Sequence, residues 1–187
     1  SEAENLGVSF GHGNKVIGSN SGGGQRGLAL GNYLTVKGEE AVAVGTNASA
    51  TADWAIAMGK NSKAEKETAM AFGYDSHAKV NHGVALGAWS VADTAAGASG
   101  YDPSTQAAST DTSAVWKSTL GAVSVGDKTE GYTRQITNVA AGAADTDAVN
   151  VAQLKKAVAG AADGNDTLVS GSNGLSLSGK TLSMSVK

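Results

Sequence analysis

The side chains that most often do chemistry are sparse in this chain and badly spaced for it. The three histidines, His12, His77 and His82, show no metal-ligand spacing and have no acidic cluster beside them. Cysteine is absent, which removes disulfides and Cys-based metal sites. Serines are plentiful, yet no Gly-x-Ser-x-Gly elbow sits between a strand and a helix. Gly22-Gly23-Gly24 lacks the Lys-Ser/Thr of a phosphate loop. Asp145 and Asp147 read as helix-cap residues rather than ligands. The expectation is a protein that is not an enzyme, with no catalytic residue, metal or cofactor.

Contact chemistry is what is left. Trp54 and Trp89 fall in turns, and exposed aromatics make good anchors for a partner. Packing against a neighbouring coil or chain is the plainer reading of both. Lys63, His77 and Lys79 complete the candidate ligand contacts. Lys63, Lys66 and Lys79, with Glu65 and Glu67, are most simply a solvated outer face. A net charge of −3 and the lack of a basic cluster argue against nucleic acid.

The elements that position these residues come from a repeat. A glycine returns at Gly31, Gly45, Gly59, Gly73 and Gly87, every fourteen residues. Before each stands large-Ala-large: Leu28-Ala29-Leu30, Val42-Ala43-Val44, Ile56-Ala57-Met58, Met70-Ala71-Phe72 and Val84-Ala85-Leu86. Alternation is the signature of a half-buried strand. A fixed short period means stacked copies of one unit. Three and five positions after each glycine come small residues, such as Ala48 and Ala50 or Ser62 and Ala64, with polar residues between and beyond. Each fourteen-residue unit therefore reads as one coil of a parallel solenoid with two strands.

Which face of the first strand lines the coil stays open. The preferred assignment puts the large residues inside and the row Ala29, Ala43, Ala57, Ala71 and Ala85 against identical chains. Under it, Ala57→Glu destroys self-association. The opposite assignment puts alanines inside and large residues between chains. Both require self-association.

Composition agrees with a thin core. Leu, Ile, Val and Phe sum to 33 of 187 residues, below the roughly 20% of an ordinary globular chain. No apolar run approaches membrane-spanning length and no signal peptide stands at Ser1, so a soluble fragment is expected. Gly7-Val8-Ser9-Phe10-Gly11 reads as an earlier repeat, separated by a glycine-rich loop around Ser19–Gly24. The repeat decays after Ser90 and returns once as Ala122-Val123-Ser124-Val125-Gly126. Val151, Leu154, Val158 and Ala161 then form a short a/d seam, broken from Gly160 to Asp166. Leu168 to Val186 alternates again around glycine turns, suggesting a small β-segment.

These residues resemble the trimeric autotransporter adhesins, with a YadA-like head and neck. The head-like feature is Val-Ala-Val-Gly or a close variant at fourteen-residue spacing. The neck-like feature is Arg134-Gln135-Ile136-Thr137-Asn138-Val139-Ala140-Ala141-Gly142, then Asp145-Thr146-Asp147-Ala148-Val149-Asn150-Val151-Ala152-Gln153-Leu154-Lys155. The resemblance implies a mainly β fold: a left-handed parallel β-roll with 14-residue coils, homotrimeric, then a neck and a short trimeric coiled-coil start. The expected boundaries are head 1–126 with an insert 100–121, neck 127–155, and a stalk-like segment 156–187. Ile136, Val139, Val151, Leu154 and Val158 then join the alanine row as trimer residues. The resemblance also implies a bacterial surface protein anchored in the outer membrane by a C-terminal barrel outside this chain. Its partners would be a host matrix protein or host cell-surface receptor. Leu34, Val36, Trp54 and His82 depart from the family's usual small residues. A structural spacer is the rival reading. A left-handed β-helix acyltransferase is a remote one, because fourteen is not a multiple of its six-residue unit and no histidine is placed as a base.

Overall fold

A computed structural model describes residues 7–17, 26–163, 175–178 and 181–184. The chain divides into two compact units, Ser1–Gln135 and Ile136–Lys187. The loop around Ser19–Gly24 falls largely outside the described residues.

The first unit is a parallel solenoid. One sheet has seven strands in the order β1 (Val8–Phe10), β3 (Leu28–Asn32), β5 (Val42–Thr46), β7 (Ile56–Met58), β9 (Met70–Phe72), β11 (Val84–Leu86) and β15 (Val123–Ser124). The other has six: β2 (Lys15–Val16), β4 (Thr35–Val36), β6 (Ser49–Ala50), β8 (Lys63–Ala64), β10 (His77–Ala78) and β12 (Val91–Ala92). Each coil but the last, which supplies only β15, contributes one strand to each sheet. The register stacks like on like, pairing Ala43 with Ala57, Ala57 with Ala71 and Ala71 with Ala85. After β12 the chain leaves the ladder for an excursion that holds a small hairpin, β13 (Tyr101–Asp102) against β14 (Ala107–Ala108). It rejoins where Val84 pairs with Val123, so the last copy of the repeat is a true rung. The earlier repeat at Gly7–Gly11 is also a rung, through Val8 and Leu28.

The burial pattern reverses the preferred orientation of the first strand. Ala29, Ala43, Ala57, Ala71 and Ala85 are each 0% exposed in the single chain. They face Ala50, Ala64, Ala78 and Ala92 and the buried serines of the other sheet within one core. The large residues point outward: Leu30 is 48% exposed, Met58 41% and Leu86 49%. The reason is the length of the coil. Fourteen residues shared between two strands and two bends leave an interior one methyl deep on each side. A leucine there would overfill it. The buried hydroxyls of Ser62 and Ser76 donate to Gly59 O and Gly73 O at 2.9 and 3.0 Å, so they cost no unpaired polar group. Leu34 and Val36 are the exception at the N-terminal end, where both are fully buried. A Cβ on Gly27 would lie 2.6 Å from Val36 Cγ1, so that glycine makes the room.

The glycine column closes the coil. Gly59 has φ +133°, and a Cβ there would sit 2.3 Å from the carbonyl oxygen of Gly73 in the next coil. An L side chain is excluded twice, by backbone conformation and by the approach of the rungs. Two residues on, Asn47, Asn61 and Asp75 take left-handed backbone at φ 57°, 60° and 50°, which short polar side chains tolerate.

The second unit has one helix, α1 (Val151–Asp163), and an antiparallel hairpin, β16 (Leu175–Ser178) with β17 (Thr181–Met184). The helix runs through Gly160 rather than stopping there. No helix among the described residues is long and apolar enough to cross a membrane.

Two substitutions test the inverted core. Ala57→Glu buries an unpaired charge and should cost at least about 3 kcal/mol, unfolding the solenoid rather than separating intact subunits. Gly59→Ala should also lower the melting temperature, while Met58→Ala should barely change it in the isolated chain. Circular dichroism melts measure all three, and an Ala57→Glu chain that melts like the wild type would refute the orientation.

Candidate binding surfaces

The seven-stranded sheet presents one flat outer face. Val8, Leu28, Val42, Ile56, Met70, Val84 and Val123 form one outward row, and Phe10, Leu30, Val44, Met58, Phe72 and Leu86 run parallel to it. With strands about 4.8 Å apart, seven rungs make rows about 30 Å long. No charged residue interrupts either row. Contiguous apolar area on this scale marks an interaction surface.

The six-stranded sheet has a polar outer face. Thr35, Ser49, Lys63 and His77 lie in register along it. Lys63 and His77 are therefore neighbours, as two of the candidate contacts. The His77 Nε2 lies 2.9 Å from Glu65 Oε2 but off the hydrogen-bonding line, so the pair is electrostatic only when the ring is protonated. Lys79 is exposed two residues beyond His77.

The two tryptophans sit at opposite bends of the coil, both in left-handed backbone, Trp54 at φ 58° and Trp89 at φ 57°. They do not form one site. Trp89 packs edge-on against Tyr74 at 5.6 Å between ring centroids and at a tilt against Tyr132 at 6.0 Å. Lys60 Nζ stands 5.9 Å from the Tyr74 ring centre. The plainer reading, contact with a neighbouring coil, thus describes Trp89. Trp54 is 44% exposed with no aromatic neighbour among the described residues.

Arg134 closes the last coil, a role its sequence position did not reveal. Its guanidinium donates to Ser90 Oγ at 3.0 Å and to the carbonyls of Ala88 and Val125. Its Cζ would lie 3.0 Å from a Cβ on Gly87. At the other rungs the next glycine fills that place. The partners are 44 and 46 residues away in the chain, beyond any local motif.

The second unit is held by a short polar clasp. Asn150, not Asp145 or Asp147, caps α1: its Oδ1 accepts from Gln153 N at 3.0 Å, and Gln153 Oε1 accepts from Asn150 N at 3.3 Å. This is a reciprocal capping box, with the Asn-x-x-Gln spacing that signals one. The Gln153 amide also pairs both polar groups of Gly142, at 3.0 and 2.9 Å. Asp147 instead accepts from the backbone of Ala143 and Ala144 at 2.8 and 3.0 Å. Those two donors hold its carboxyl below the ordinary carboxylate range. The apolar residues find no such partners. Ile136, Val151, Leu154 and Val158 are all exposed, Val139 is half-buried, and an open cleft of about 370 Å³ runs between Ile136, Val139, Val149 and Val151. No group of three metal-binding side chains converges among the described residues.

Arg134→Ala should strip three acceptors of their partner and cost about 1–3 kcal/mol. The effect should be read as faster hydrogen exchange in residues 84–92; unchanged protection there would reject the capping role. The Asp147 turn should be pH-sensitive with a definite sign. A depressed carboxyl stabilises the fold above its unfolded value and stops doing so as pH falls through the folded one. Amide exchange at Ala143 and Ala144 should therefore accelerate only on acidification below the ordinary carboxylate range, and Asp147→Asn should remove that dependence.

Two matches describe the chain by family. The YadA head domain repeat matches twice, over residues 37–62 and 64–90, and the coiled stalk of trimeric autotransporter adhesin matches residues 135–176. Together they cover just over half of the chain. Autotransporter adhesin BadA of Bartonella henselae is 67% identical over 70 residues, which is 37% of this chain and 2% of that protein. Trimeric autotransporter adhesin AtaA of Acinetobacter sp. (strain Tol 5) is 56% identical over 68 residues, 35% of this chain and 2% of that protein. The chain thus spans only about one fiftieth of either relative. The crystal structure of the collagen-binding domain of Yersinia adhesin YadA aligns over 82% of this chain and 71% of its own, at 30% identity and a TM-score of 0.49. The head repeats and the coiled-stalk match that follows them in the sequence place this chain in the trimeric autotransporter adhesin family.

Proposed function

We propose that this chain is an adhesive head segment of a bacterial surface fibre, assembled from three copies and attaching the cell to host matrix or host cell-surface receptors. The observation that carries it is the uncharged outer face of the seven-stranded sheet, about 30 Å long, on a chain whose core is mostly alanine. A surface of leucine, isoleucine, methionine and phenylalanine is unfavourable in water and gains roughly 25 cal/mol per Å² when covered. Three identical chains cover it mutually. The exposed seam of Val151, Leu154 and Val158 calls for the same partners, since one helix of this length is marginal alone. Family membership supports the trimer, the cell-surface location and the adhesive role.

The work of such a head is presentation rather than catalysis. The outer face of the six-stranded sheet and the bends meet the partner, three times per trimer. Repetition lets weak contacts add to a strong one. A spacer role is favoured by one fact: the relatives are some fifty times longer than the matched segment, so most of such a fibre is scaffold.

Sedimentation of the purified chain should show a trimer, and Met58→Glu should give a folded monomer. A Met58→Glu chain that still sediments as a trimer would overturn the assigned interface. The trimer should then bind saturably to at least one member of a panel of immobilised matrix proteins and receptor ectodomains. The monomeric variant should bind about a hundredfold more weakly. A trimer that binds none of them would establish the spacer.

A further inference from the structure

A second concavity lies in the head unit, where the excursion after β12 leaves the last complete coil. Lys66, Lys79, Asn81, His82 and Thr119 line it, and Val80, Ala95 and Ala96 supply an apolar wall. Its volume is about 520 Å³. None of these residues belongs to the apolar outer face of the seven-stranded sheet, so covering that face does not consume them.

The charge of this cleft runs against that of the molecule. The chain carries a net charge of −3, yet two lysines line the cleft and no carboxylate does. Among the described residues, neither Lys66 nor Lys79 has a carboxylate within 4.0 Å. Glu65, one coil before Lys79 in the repeat, instead has its Oε2 2.9 Å from His77 Nε2. His82 is held in place. Its backbone is left-handed at φ 60°, its N–H donates to Glu67 O at 3.0 Å, and its Nδ1 contacts the Thr68 hydroxyl. Thr68 holds the equivalent bend one coil earlier. Among the described residues the His82 Nε2 makes no hydrogen bond.

We propose that this cleft binds an acidic saccharide, gripping a carboxylate or sulfate substituent with Lys66 and Lys79. Both substituents present the same chemistry, an oxyanion that an ammonium group can meet as a point charge. Asn81, Thr119 and His82 provide donors and acceptors for ring hydroxyls. Val80, Ala95 and Ala96 offer methyl surface to the C–H face of a sugar. The volume lies in the range of small-ligand sites, roughly 300–1,000 Å³, and exceeds what a bare anion fills. An acidic peptide fits less well, because the cleft offers neither an aromatic pocket nor an open strand edge to hold a chain. The excursion supplies one wall, which gives this departure from the repeat a use.

The inference deepens the adhesive reading and rests on it. Isothermal titration of the purified chain with a heparin-derived tetrasaccharide, with sialyllactose and with neutral lactose tests it. At least one acidic probe should bind, more weakly as salt rises, while lactose does not. Binding of the sulfated probe alone, the carboxylated one alone, or both, supports the site and identifies the substituent. Lys66→Gln/Lys79→Gln should weaken that binding about tenfold or more with an unchanged melting temperature, and Thr119→Val should weaken it less. Failure of both acidic probes, equal binding of lactose, undiminished affinity of the double variant, or preference for a polyglutamate peptide would each overturn the proposal. If the double variant loses nothing on immobilised matrix proteins while saccharide binding is absent in both, the site falls and the adhesive reading stands.

Discussion

The depth of the coil governs this molecule. Two strands and two bends close in fourteen residues, and the space between the strands accepts only alanine and serine over most of its length. A buried methyl contributes about 0.8 kcal/mol, far less than a buried leucine, so each rung is weakly stabilised by its own interior. The rungs hold because the strand backbones pair with the coils on either side, as when Val42 N donates to Ala55 O at 2.9 Å. The glycine column is the condition for that pairing, since a side chain at Gly59 would strike the next coil.

Displacing the large residues outward turns a limitation into an assembly rule. Leu30, Met58 and Leu86 are exposed and stabilise little within one chain; in the proposed trimer they are the residues that association covers. The second unit follows the same economy. Its local structure is secured by hydrogen bonds, through Asn150, Gln153 and Asp147, while Leu154 and Val158 wait for partners. Arg134 solves a different problem, the open end of the ladder, by supplying donors where the next rung is missing. The buried serines of the head, the Arg134 cap and the clasp of Asn150, Gln153 and Asp147 thus make their hydrogen bonds within the chain, while the large apolar residues stay exposed.

The surfaces free for a ligand are then narrow in kind. They comprise a polar sheet face bearing Lys63 and His77, two rows of bends bearing Trp54 and Trp89, and the cleft beside the excursion.

Much of this was legible in the residues. The glycine period, the alternation around it and the small residues after it specified two stacked sheets, because strand faces repeat every second residue and the rungs repeat every coil. The neck residues named the family. The sign of the first strand's orientation was not legible, since large-Ala-large alternates equally well facing in or out, and only the depth of the closed coil chooses between them. The helix cap was readable in Asn150 and Gln153, but the nearby aspartates offered a competing choice that the Asp147 turn resolved. Arg134, and the meeting of Lys66, Lys79 and Thr119 around one cleft, belong to the folded chain alone. Their partners are separated along the sequence and are brought together by the stacking of coils and the return of the excursion, which no local pattern encodes.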